Sequence, residues 1–114
     1  MPAVSALRRR ADFEALGRQG RAHSTPILVL RTLRTERAET RLGLSTPRAV
    51  GGAVERNRLR RRLRELVRER IGRIGRGWDL LLIARPASRQ ATYAELGTAL
   101  DALLRRSEIT RDGQ

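Results

Sequence analysis

The sequence predicts an α+β fold, one sheet with helices packed on it, and three observations carry that prediction. Apolar residues recur with a helical period at Leu59, Leu63, Leu66, Val67 and Ile71, and again at Leu96, Ala99, Leu100, Leu103 and Leu104. Short runs rich in β-formers, Ile27–Leu33, Arg41–Thr46 and Trp78–Ala84, lie between the helical segments. Glycine and proline punctuate the boundaries, and no repeat or second set of elements is visible, so 114 residues form one domain over 1–114.

Taken in order, Arg8, Arg9 and Arg10 lead into a short helix that Asp12 can cap, with Phe13 and Leu16 as an i, i+3 pair and Gly17 and Gly20 as the stop. Phe13 reads either as a core anchor or as an exposed ring for stacking. Pro26 opens the strand Ile27–Leu33; a polar loop through Glu36, Arg37 and Glu39 leads to Arg41–Thr46, and the two strands are expected to pair antiparallel. Pro47 ends the second strand. Trp78–Ala84, the most apolar strand, should be central and covered on both faces. Thr92 and Glu95 form a capping box for a final helix, whose end carries Arg105 and Arg106 where the helix dipole favours cations. The tail, about 107–114, is expected to fray.

The segment Gly51–Arg70 concentrates the charge. At about 100° per residue its apolar positions occupy an arc of roughly 140°, and Asn57, Arg60, Arg61, Arg64 and Arg68 gather on one flank with no acid among them. On the other side Glu55, Glu65 and Glu69 lie near Arg58 and Arg62, and the three- and four-residue spacings of Glu55 to Arg58 and of Glu65 to Arg61 and Arg62 allow surface pairs. Like charges four apart repel, so the bare flank weakens the isolated helix and a bound polyanion would relieve it.

The whole chain agrees with an anionic partner. It carries 25 basic residues, every one arginine, against 12 acids, a formal net charge of +13. It has no cysteine, which fits a reducing cytoplasm, and its longest apolar run, Leu80–Ala84, is far too short to span a membrane. Only Phe13, Trp78 and Tyr93 are aromatic, too few for a stacking platform of several rings.

No catalytic constellation emerges. His23 is the only histidine and stands in a polar stretch without a partner motif; Asp12, Glu14, Asp79, Glu95 and Asp101 show no spacing for a metal pair or an acid–base pair. Gly51-Gly52 lacks the lysine and spacing of a phosphate loop. These features fit a small structural RNA-binding protein, such as a ribosomal protein. An independent nuclease would need an acid cluster, and a helix-turn-helix reader would need a second helix beside the arginine-rich one.

The segment Ala53-Val54-Glu55-Arg56-Asn57-Arg58-Leu59-Arg60-Arg61-Arg62-Leu63-Arg64-Glu65 closely resembles the signature of the protein subunit of bacterial ribonuclease P. Arg41–Ser45, Val50–Val54, Ala11–Phe13 and Asp79–Arg85 match the same family, so the resemblance runs from about Leu7 to Arg106. It implies a single-domain α-β-β-β-α-β-α sandwich with a mixed four-stranded sheet that includes a short strand near Arg21–Ser24, and a left-handed β-α-β crossover through the arginine helix.

The resemblance also implies a function: binding a large catalytic RNA that, with magnesium ions held mainly by that RNA, removes the 5′ leader of precursor transfer RNA. No protein partner or intrinsic metal is implied, and the work would be cytoplasmic. The family's RNA-facing block falls on Arg56, Asn57, Arg58, Arg60, Arg61 and Arg64, which the projection extends to Arg68, with Arg8, Arg9 and Arg10 as a second basic contact. The leader cleft, between the sheet and the first helix, falls on Phe13, Arg31 and Ser45. Gly17 and Arg31 stand where relatives often carry Phe or Tyr, which implies leader contact through arginine rather than ring stacking.

Overall fold

Alternation along Trp78–Ala84 decides how the sheet is dressed. Leu80, Leu82 and Ala84 are buried on one face; Leu81 and Ile83 point to the other and are only half-buried. The computed structural model describes residues 5–110. Its elements are β1 (Ser5–Ala6), α1 (Arg10–Gln19), β2 (Arg21–Ser24), β3 (Leu28–Arg34), β4 (Arg41–Ser45), α2 (Ala53–Arg70), β5 (Trp78–Ala84) and α3 (Tyr93–Ser107), with single 3-10 turns at Arg48–Val50, Ile71–Arg73 and Pro86–Gln90.

The five strands form one mixed sheet in the order β1-β4-β5-β3-β2. β5 pairs antiparallel with β3 and parallel with β4, and β3 pairs antiparallel with β2. The expected β3–β4 hairpin is therefore wrong: β5 lies between them. Parallel strands need a long crossover, and α2 supplies it by joining β4 to β5. The short strand expected near Arg21–Ser24 is present as β2, and a fifth strand, β1, adds to the expected four by pairing parallel with β4 at Arg41 and Leu42.

The main core lies between one sheet face and the two long helices. Leu59, Leu63, Leu66 and Val67 of α2 and Leu96, Ala99, Leu100, Leu103 and Leu104 of α3 meet Leu28, Leu30, Leu80, Leu82 and Ala84, as their periodicity predicts. α3 starts with the expected capping box: Glu95 N–H donates to Thr92 Oγ1 at 3.0 Å and Thr92 N–H to Glu95 Oε1 at 2.8 Å.

α1 lies on the opposite face and covers only part of it, which corrects the expectation that β5 is covered on both sides. Three contacts seat this helix. Arg41 of β4 donates through Nε and Nη2 to both carboxylate oxygens of Asp79, at 2.8 and 2.6 Å, and through Nη1 to Asp12 of α1 at 3.1 Å. The Phe13 ring lies on Gly43, where an added Cβ would stand 2.8 Å from Cε1. Arg31 of β3 donates to the carbonyls of Leu16 and Gly17, at 3.2 and 2.9 Å, near the negative end of the helix dipole.

Two local expectations at α1 change accordingly. Asp12 is in the first turn rather than at the cap, because Arg41 holds its carboxylate; Arg9 is the N-cap residue. Gly17 does not stop the helix, which continues to Gln19 before Gly20 ends it. The tail is also more ordered than expected over its first residues: Ile109 is fully buried, accepts from Gly75 N–H at 2.8 Å, and Thr110 bridges to Ile74. An apolar side chain in the core outweighs the fraying of a helix end. Residues 111–114 lie outside the described residues.

Candidate nucleic-acid interface

α2 carries its arginines where the projection places them. Leu59, Leu63, Leu66 and Val67 are buried, whereas Asn57, Arg58, Arg61, Arg64 and Arg68 are exposed and Arg60 and Arg62 half-exposed. The expected division into a compensated and a bare flank does not hold. Arg58 and Arg62 make no ion pair among the described residues, because the nearby acids are engaged elsewhere. Glu55 accepts from Gly52 N–H at 3.0 Å in the first turn and lies 3.9 Å from Arg89; Glu69 takes Arg70 and the Tyr93 hydroxyl. Glu65 pairs instead with Arg68 at 3.4 Å, on the flank read as free of acids. The uncompensated set is thus Arg58, Arg61, Arg62 and Arg64, wider around the helix than expected.

Arg56 and Arg60 turn toward the sheet. Arg56 Nε donates to Thr46 O at 2.9 Å, and Arg60 Nη2 to Thr46 Oγ1 at 2.8 Å, while Arg60 Nη1 lies 3.4 Å from Asn57 Oδ1. They brace the first turns of α2 against the end of β4. Each guanidinium still has N–H groups to spare for a phosphate. This bracing sets the arginine surface beside Ser45, at the mouth of the open sheet face.

That open face, partly overlain by α1, lies where the cleft is expected. Register places Arg31, Leu81 and Gly43 in one row across the strands and Val29, Ile83 and Ser45 in the next; α1 overlies the first row, and Val29, Ser45 and Ile83 remain half-buried beyond it. Phe13 is half-buried, seated on Gly43 with one side toward Leu81, so the two readings of this ring meet in one place. Arg31 is partly engaged: two of its N–H groups cap α1, leaving the others for a ligand. Gly17 has no atom within 4 Å of where a Cβ would stand, so the helix presents bare backbone to solvent there. Arg8, Arg9 and Arg10 are exposed at the start of α1 with no ion pair among the described residues.

Sequence reasoning missed two ionic groups, one buried and one half-buried. One is Asp12–Arg41–Asp79, in which Arg41 is pushed above its ordinary pKa chiefly by its hydrogen bonds to Asp79. The other is Arg70, which donates to Asp101 at 2.7 Å and holds that carboxyl below its ordinary value, with Arg73 also paired to Asp101 at 3.1 Å. A signal existed for the second, since Arg70 projects into the middle of the apolar arc of α2, where an unpaired charge is untenable. Among the described residues no three histidine or acidic side chains gather as a metal site, and no helix is long and apolar enough to cross a membrane.

A small α+β domain with a broad uncompensated arginine surface beside an open sheet face has the electrostatic character of the polyanion-binding class. The comparisons sharpen that class. Residues 1–108 match the family model for ribonuclease P. The chain is 40% identical to the ribonuclease P protein component of Acidothermus cellulolyticus, covering 100% of this chain and 97% of that one, and 39% identical to that of Streptomyces avermitilis, covering 93% and 94%. Among solved structures it is similar to the ribonuclease P protein of Staphylococcus aureus, at 25% identity and TM-score 0.86 over 94% of this chain and 98% of that one. It is also similar to that of Thermotoga maritima, at 28% and 0.81 over 90% and 96%. The chain belongs to the ribonuclease P protein family, and is by that membership a subunit of a ribonuclease that processes transfer RNA.

Proposed function

We propose that this subunit binds the catalytic RNA of ribonuclease P through α2 and the 5′ leader of precursor transfer RNA through the cleft under α1, promoting magnesium-dependent removal of the leader. The observation that carries the reading is the uncompensated set Arg58, Arg61, Arg62 and Arg64, braced at Arg56 and Arg60 against the strand end where the cleft opens. Arg68, half-neutralised by Glu65, and Arg8–Arg10 extend the basic surface at its two ends. By neutralising phosphates the protein lets two RNAs approach closely.

In the cleft, Phe13 offers part of a ring, Ser45 a hydroxyl, and Arg31 its remaining N–H groups, so the leader is held by phosphate and guanidinium contact more than by stacking. The residues do not fit a resident magnesium site, since the described carboxylates are dispersed or occupied by arginines. The chemistry belongs to the RNA, and the chain works in the cytoplasm without an obligatory protein partner.

The test is reconstitution. The protein alone leaves precursor transfer RNA uncut; added to its cognate catalytic RNA at low magnesium, it raises cleavage, and it tightens binding of a precursor more than of a leaderless transfer RNA. Arg61→Ala with Arg64→Ala lowers the slope of log affinity for the catalytic RNA against log salt by about two. Cleavage by the protein alone, or association with ribosomal subunits and no effect on transfer RNA maturation, would overturn the reading.

A further inference from the structure

We propose that a hollow at the end of the sheet remote from Ser45, bounded by Arg21, Arg34, Trp78, Ser107 and Glu108, is a second RNA contact that seats one nucleotide of a single strand. The hollow measures about 390 Å³ and lies between the start of β2, the end of β3, the start of β5 and the C-terminus of α3, within the range of about 300–1,000 Å³ typical of small-ligand sites. It is separate from the interface above: Trp78 opens β5 and Ile83 of the cleft floor stands five residues along it, roughly 17 Å away at about 3.3 Å per residue.

Three observations point to a nucleotide. The Arg34 guanidinium lies over the Trp78 ring, 5.3 Å from its centroid, and its outer face is exposed, so a base can stack on it. Arg21 and Arg34 are both exposed and make no ion pair among the described residues, leaving two cations on one rim for a phosphate. Trp78 Nε1 is buried without a protein partner, so the indole is not held there by a hydrogen bond; phenylalanine would fill the space without an orphaned donor. What the indole adds is the stronger cation–π surface for Arg34.

The opposite rim sets the orientation. Ser107 and Glu108 lie at the negative end of the α3 dipole and disfavour a phosphate there. The phosphate therefore faces Arg21 and Arg34, and the base lies toward Ser107 and Glu108, which accept from an exocyclic amino group as carboxylates accept from bases elsewhere. A free nucleotide shares this chemistry, but the +13 charge and the family's RNA substrate favour a strand.

Trp78 is the only tryptophan, so its fluorescence reports this hollow directly. The isolated protein is titrated with a five-nucleotide oligoadenylate and, separately, with AMP. The expected result is saturable quenching by the oligonucleotide, with a midpoint raised tenfold or more in Arg21→Gln/Arg34→Gln and changed less than threefold in Arg61→Ala/Arg64→Ala. AMP should need at least tenfold higher concentration. Absence of quenching, a midpoint that moves only in the α2 variant, or equal midpoints for AMP and oligonucleotide would overturn the proposal. The measurement needs no catalytic RNA, so its failure leaves the reconstitution result standing, and the reverse holds equally.

Discussion

Replacing Arg41 by methionine should remove a large part of the stability of this domain. Arg41 and Asp79 are 8% and 3% exposed and joined by two short hydrogen bonds, with Asp12 as a third partner. Methionine preserves most of the aliphatic stem but leaves the Asp79 carboxylate buried with no cation. Breaking a buried pair in this way costs about 3–5 kcal/mol, a large part of the roughly 5–15 kcal/mol that holds a small domain together. In urea, at about 1.5 kcal/mol per molar, the midpoint should fall by about 2–3 M with little change of slope.

A second substitution separates an orphaned charge from simple loss of packing. Adding Asp79→Leu to Arg41→Met removes the orphan and should restore most of the lost stability. A loss below about 1 kcal/mol, or a double variant no more stable than the single one, would refute the reasoning.

Other substitutions test the seating of α1 and the ends of α2. Gly17→Ala, in mid-helix with open space around the new methyl group, should stabilise by about 0.5–1 kcal/mol in thermal or urea unfolding. Gly43→Ala should destabilise by about 1 kcal/mol, because Phe13 has to give way, and should weaken binding of a leader-bearing precursor more than of a leaderless one. Asp101 lies below its ordinary value of 3.8 because Arg70 and Arg73 favour its charged form. Its contribution is therefore fully present above about pH 5 and is lost as pH falls through 4 and below; in Asp101→Asn, stability measured from pH 6 to 3 should decline less steeply.

The arginine surface was legible because its cause is local. A 3.6-residue period sets which side chains of Ala53–Arg70 leave the core, and Leu59, Leu63, Leu66 and Val67 are buried as that period requires. The same holds for the capping box at Thr92 and the buried stripe of α3. Pairing of charges was less legible. Spacing allows Glu55 to meet Arg58 and Glu65 to meet Arg62, yet a carboxylate goes to its best available donor, a backbone N–H for Glu55 and Arg68 for Glu65.

By itself, the sequence determined the three helices and the three longer strands, the apolar stripes and the excess of arginine over acid, because each follows from residue type and short-range period. Only the tertiary structure decided the rest. It put β5 between β3 and β4, left one sheet face half-open under α1, turned Arg56 and Arg60 toward Thr46, and set Arg31 to cap a helix. It also joined Asp12, Arg41 and Asp79. Each of these depends on residues from 10 to 56 positions apart becoming neighbours, and the energy that selects such a neighbour exists only once the sheet has formed.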